Sequence, residues 1–138
     1  MSRDGTYQTI LSRNKGMEGS SFSRIFVSSD SGNNWSLADI SRSLWNQVAM
    51  SDDGRHQLSC GTYVFRSEDY GQSWNRTHIP TGWWYSCTTT ATGKTQYVVG
   101  QSQTFRSLDY GKNWNALATD TENWREIKTS GDGNIVTV

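Results

Sequence analysis

Eight residues decide the fold: Ser67-Glu68-Asp69-Tyr70-Gly71-Gln72-Ser73-Trp74. Their frame, S-x-D-x-G-x-x-W, occurs earlier as Ser28-Ser29-Asp30-Ser31-Gly32-Asn33-Asn34-Trp35. It occurs again as Ser107-Leu108-Asp109-Tyr110-Gly111-Lys112-Asn113-Trp114. The tryptophans Trp35, Trp74 and Trp114 step by 39 and then 40 residues. A fixed period of this length marks an architecture of stacked supersecondary units.

Working outward, other positions keep the same phase. Phe26, Phe65 and Phe105 lie two residues before each motif's serine, and Trp45, Trp84 and Trp124 follow each motif by ten. Gly54, Gly93 and Gly133 come nine residues after those tryptophans, and Gly5 plays the same part near the start. From Gly5 to Gly54 is 49 residues, ten more than the 39 from Gly54 to Gly93. The surplus falls between Arg13 and Phe22, so the first unit carries an insertion there. The units run over about 2–50, 51–90 and 91–129, with a partial unit at 130–138, in one domain spanning 1–138.

Within each unit the turn residues separate four short strand signals. In the second unit these are A, Trp45–Ser51; B, His56–Gly61; C, Tyr63–Ser67; and D, Trp74–Ile79. The third unit repeats them at Trp84–Thr90, Gln96–Gly100, Thr104–Ser107 and Trp114–Ala118. Asp52-Asp53-Gly54 reads as the A–B turn, and the repeated motif as the C–D turn. Composition agrees: 33% of residues are hydrophobic, with 13 glycines and 7 tryptophans, which suits short strands and tight turns. The expected class is all-β, with antiparallel four-stranded units.

The phased frame resembles the Asp-box, or bacterial neuraminidase repeat. That family includes sialidases, xyloglucan-cleaving glycosidases, sortilin-type receptors and photosystem assembly factors. The resemblance covers nearly the whole chain and implies blades of a β-propeller. It further implies that Ser28, Asp30, Gly32 and Trp35, with Ser67, Asp69, Gly71 and Trp74 and with Ser107, Asp109, Gly111 and Trp114, are structural turn residues on the outer edge, away from any ligand face. The Asp carboxylate accepts backbone N–H bonds two or so residues on, and the Trp ring covers the turn and is buried. Propellers close with about 4–8 blades, so three units imply either a longer gene product or association of copies. In the second case Trp124–Ser130 serves as strand A for another copy.

Function is less constrained. The 13 basic and 13 acidic side chains cancel, which gives no electrostatic case for nucleic acid. No stretch approaches the roughly 20 apolar residues of a membrane span. Cys60 and Cys87 align with aliphatic positions of other units and read as buried free thiols; they do not fix a compartment. No residue set calls for a metal or cofactor. His56 and His78 are isolated, and Asp39, Asp120, Glu122 and Glu126 are unpaired acids near the D–A links. A sialidase would add an arginine triad, a tyrosine–glutamate pair and an F/Y-R-I-P motif, which this chain lacks.

The D–A links remain as candidate binding sites. Trp45, Trp84 and Trp124 stand there once per unit, suited to packing between blades or to contact with a ligand. Trp83 departs from the repeat, since Leu44 and Asn123 fill its place elsewhere; Tyr85 and Arg125 are its neighbours. An aromatic that the repeat does not require is a candidate binding surface. These residues point to a non-catalytic binding or assembly module for a protein or glycan. The alternative is part of a carbohydrate-active enzyme whose catalytic residues lie in other blades.

Overall fold

The computed structural model describes residues 1–15, 21–41, 43–101, 103–117 and 124–137. Every helix or strand among them is a strand. Strands β1 (Gln8–Lys15), β2 (Ser21–Ser28) and β3 (Ser36–Leu37) form a three-stranded antiparallel sheet. Strands β4 (Trp45–Met50), β5 (Gln57–Gly61), β6 (Val64–Ser67) and β7 (Asn75–Arg76) form a four-stranded sheet in chain order. The pattern recurs in β8 (Trp84–Thr89), β9 (Gln96–Gly100), β10 (Thr104–Ser107) and β11 (Asn115–Leu117). A last hairpin pairs β12 (Lys128–Thr129) with β13 (Val136–Thr137).

These are the A-B-C-D blades expected from the sequence. Two are complete, the first shows B, C and D, and the last shows A and B. Strand D is shorter than expected. Asn75–Arg76 replaces the predicted Trp74–Ile79, because Trp74 turns onto its own motif and the chain leaves the ladder after Thr77. Trp124–Ser130, considered above as a strand lent to another copy, contributes β12 to a hairpin within its own chain. The described part of the insertion is paired. Arg13 pairs with Ser23, Asn14 with Phe22 and Lys15 with Ser21, so these surplus residues lengthen the β1–β2 ladder.

Chain direction then divides the ends of the blades. D–A links and B–C turns share one end. A–B turns and the repeated C–D motif share the other.

The core lies mainly between successive units. Ile25, Val27 and Ala38 of the first unit cluster with Trp45, Phe65 and Trp74 of the second blade. Leu58, Cys60, Val64 and Ile79 cluster with Trp84, Cys87 and Val98 of the third. Inside each blade the phased aromatics meet edge to face. Trp45 and Phe65 have centroids 5.4 Å apart, and Trp84 and Phe105 5.6 Å apart, a favoured aromatic geometry. Both cysteines are buried free thiols. Burial, reinforced by the neighbouring Cys87, pushes the Cys60 thiol well above its usual range.

Backbone hydrogen bonds chain the A–B turns together. Arg3 N–H reaches Asp52 O at 2.7 Å, Asp52 N–H reaches Ala91 O at 2.7 Å, and Ala91 N–H reaches Gly131 O at 2.8 Å. Side chains lace one strand A to the next. Gln47 Oε1 accepts the Cys87 N–H at 3.3 Å, and Ser86 Oγ accepts the Ile127 N–H at 3.1 Å.

One expectation fails here. The repeat predicts burial for every motif tryptophan, yet Trp35 is 38% exposed while Trp74 is 8% exposed. Trp74 packs with Ile25, Val27 and Ala38 of the unit before it, and Trp114 packs on the Leu58 cluster of the unit before it. Trp35 joins none of the core clusters among the described residues. Trp74→Ala should therefore cost about 3–5 kcal/mol of stability, as buried Trp truncations do. Trp35→Ala should cost well under half as much, measured by denaturant unfolding of both variants.

Candidate functional site

The two ends of the blades offer two different kinds of chemistry. At the C–D turns each motif forms one hydrogen-bonded circuit. In the second unit Gly71 N–H donates to Ser67 Oγ at 2.9 Å, and Ser67 Oγ–H donates to Asp69 Oδ1 at 2.8 Å. The same Oδ1 accepts the Ser73 N–H at 2.9 Å, and Oδ2 accepts the Ser73 hydroxyl. Trp74 Nε1–H closes the circuit on Gly71 O at 2.9 Å. Ser28, Asp30, Gly32, Asn34 and Trp35 repeat this arrangement, as do Ser107, Asp109, Gly111, Asn113 and Trp114.

The carboxylate thus accepts an N–H four residues on, a longer reach than the expected two. Ser31, Tyr70 and Tyr110 follow the aspartates at φ of 60°, 63° and 62°, a left-handed conformation that side chains rarely adopt. The hydrogen bonds on both sides hold them there. One such carboxylate sits in each unit, so the three do not converge on a ligand.

The second and third motifs also contact the unit before them. Tyr7 stacks on Tyr70 with centroids 4.2 Å apart, and His56 lies against Tyr110 at 4.4 Å. The turn glycines Gly54 and Gly93 leave room for these rings: a Cβ on either would come within 2.7 Å of Tyr7 Cβ or 2.5 Å of His56 Cβ. Burial, the largest influence on His56, holds its imidazole below the usual histidine pKa, which favours the neutral ring in this stack.

The opposite end holds the D–A links. Trp45 is 1% exposed and Trp84 is 4% exposed, their rings engaged with Phe65 and Phe105; Trp84 Nε1–H also donates to Pro80 O at 3.1 Å. Trp124 is half-buried and packs beside Ile127. Trp83 is 55% exposed. With Pro80, Thr81, Gly82, Gln101 and Gln103 it lines a cavity of about 190 Å³.

Tyr85 occupies a bulge between Trp84 and Ser86, and the Arg125 guanidinium lies 4.7 Å from its ring centroid. Such cation–π contacts hold adjacent side chains in register. The structure thus places Trp83 with Trp84 at one link and Tyr85 with Arg125 across the next. Of the acids near this end, Glu126 pairs with Lys128 at 2.8 Å, while Asp120 and Glu122 lie outside the described residues, as does Asn123.

A family model for the BNR-Asp box repeat matches residues 105–117. Solved structures share the fold. YCF48 bound to D1 peptide aligns with a TM-score of 0.58 and 17% identity over 93% of this chain. The GH74 enzyme of Niastella koreensis aligns with a TM-score of 0.58 and 22% identity over 75% of this chain. The chain thus carries a BNR-Asp box repeat and shares the fold of these structures. It spans 49% of the YCF48 chain and 17% of the GH74 chain. No curated protein sequence matches it.

Two further sets of residues complete the turns of the repeat. Asn34, Ser73 and Asn113, each just before the motif tryptophan, bind the carboxylate through both backbone and side chain. Gln8, Gln57 and Gln96 donate their amides to Gly5, Gly54 and Gly93 carbonyls at 3.0, 3.0 and 3.1 Å. Their fixed offsets, one residue before each motif tryptophan and three after each turn glycine, are the signal that identifies them.

The box carboxylates are stabilised as anions. The Asn113 N–H and then its side-chain amide lower the Asp109 pKa to about 2. Folded protein therefore binds fewer protons at Asp109 than unfolded protein does. The resulting stabilisation is full above the unfolded pKa of about 3.9 and is lost as pH falls toward 2. Thermal melts of wild type and Asp109→Asn should differ most at neutral pH and converge as the pH approaches 2. A difference that stays constant with pH would contradict this account of the turn.

Proposed function

We propose that this chain is a non-catalytic platform that grips an extended segment of a protein partner at its D–A links. The observation that carries this reading is Trp83. It is a large aromatic, 55% exposed, that no other described unit needs at that position. Interface energy concentrates on such tryptophans when a pocket adjoins them. Here the pocket holds the Gln101 and Gln103 amides, suited to the N–H and C=O groups of an extended backbone. The fold likeness to YCF48, solved with a bound D1 peptide, supports a peptide as the kind of occupant such a scaffold accommodates.

A peptide array probed with wild-type protein and with Trp83→Ala tests this, beside a glycan array and a hydrolysis assay on β-glucans. Wild type should retain peptides that Trp83→Ala binds about five- to thirtyfold more weakly, a hot-spot loss of about 1–2 kcal/mol. The melting temperature should be unchanged. Retention of glycans alone, or turnover of a glucan, would favour the enzyme reading. Unfolding of Trp83→Ala would make Trp83 a core residue.

A further inference from the structure

The far end of the blades holds a second cavity, of about 390 Å³, between the first and second Asp-boxes. Trp35, Leu37, Tyr70, Ser29, Asn34 and Gln72 are among its walls, and Val27 and Ala38 also line it. Its size lies within the range of small-ligand pockets, about 300–1,000 Å³. The cavity sits at the C–D turns, where the resemblance to the repeat implies only structural residues.

Comparison of the two joints shows what is special here. At the joint between the second and third units Glu68 pairs with Arg66 and, across the joint, with Lys112 at 3.7 Å. The co-phased residues at the first joint are Val27 for Arg66, Ser29 for Glu68 and Gln72 for Lys112. A bridge of three charged side chains is thus replaced by one small aliphatic and two neutral polar groups.

The walls are also held in place. Trp35 Nε1–H is fixed on Gly32 O at 3.0 Å, and the neighbouring Leu37 is 57% exposed. Tyr70 is backed by the Tyr7 ring at 4.2 Å. Asp30, the one charged residue in the lining, already accepts from Ser28 Oγ, Asn34 N–H and Asn34 Nδ2–H. With no cationic side chain in the lining, an anionic ligand has no counter-charge there. The site offers an aromatic and aliphatic surface edged with hydroxyl and amide groups, which match a ring with an apolar face and neutral hydroxyls.

We propose that the cavity between the first two Asp-boxes binds a neutral sugar ring of a glycan. The site is separate from the Trp83 links, at the opposite end of the blades.

The test titrates the whole chain with cellotriose, xylotriose and galactotriose, followed by saturation-transfer NMR and calorimetry. Three variants are compared with wild type. Trp35→Ala removes one wall. Ser29→Glu combined with Gln72→Lys places the cross-joint pair of the second joint at the first and fills the cavity without deleting any core residue. Trp83→Ala serves as a control at the other end. At least one trisaccharide should bind wild type and Trp83→Ala equally. Trp35→Ala and the Ser29→Glu/Gln72→Lys pair should each weaken it by at least about tenfold, and the paired variant should melt no lower than wild type. Failure of all three sugars to bind, or binding that survives Ser29→Glu/Gln72→Lys, would overturn the proposal. So would loss of sugar binding in Trp83→Ala, or loss of peptides rather than sugars in the paired variant.

Discussion

An ionised aspartate held in a turn by N–H and O–H donors fixes the rest of this structure. Asp69 accepts from the Ser67 hydroxyl and from the Ser73 N–H and hydroxyl. That set of bonds brings the chain back on itself and orients Trp74, whose Nε1–H returns to Gly71. The ring then lies over Val27 and Ala38 of the preceding unit. A local electrostatic circuit thus determines where a large apolar surface is buried. Because the circuit is entirely local, it forms in each unit, and the apolar contact it directs joins that unit to its neighbour.

The joint between units is consequently made at three levels. Tryptophan rings and aliphatic strand residues form the core between blades. Backbone bonds from Arg3 to Asp52, Asp52 to Ala91 and Ala91 to Gly131 link the A–B turns. Tyr7 on Tyr70 and His56 on Tyr110 close the space between a turn and the next box. In repeat proteins such nearest-neighbour terms dominate stability. This division of labour leaves the D–A links free of the turn machinery. Side chains there can vary between units, as Trp83 does, without disturbing the stack.

The sequence displays the blade architecture plainly because its determinants are local: a serine, an aspartate, a glycine and a tryptophan at fixed offsets. Strand order and the burial of Cys60 and Cys87 follow from phase alone. Other features depend on neighbours and leave weaker marks. Trp35 has the same local sequence context as Trp74, yet it joins no core cluster among the described residues, so the motif alone does not set burial. Gln57 and Gln96 are fully buried, although glutamine is ordinarily a surface residue, so their type conceals a role that their phase reveals. The first-joint cavity arises from what is missing at Ser29 and Gln72, which becomes visible only when the two joints are compared in three dimensions. At the D–A links, Trp83 stood out in the sequence as a departure from the repeat, whereas the packing of Trp45 and Trp84 depends on Phe65 and Phe105 meeting them across the blade.

The central claim is that the Asp-box joins one unit to the next. A double-mutant cycle on Tyr7 and Tyr70 tests it most directly, through unfolding free energies of Tyr7→Ala, Tyr70→Ala and the double variant. The left-handed backbone at residue 70 is common to both sides of the cycle, so its strain cancels. A coupling of about 0.5–1.5 kcal/mol, as for other aromatic pairs, is the predicted result. Additivity within about 0.3–0.5 kcal/mol would mean that the box and the preceding unit do not interact there, and would contradict the claim.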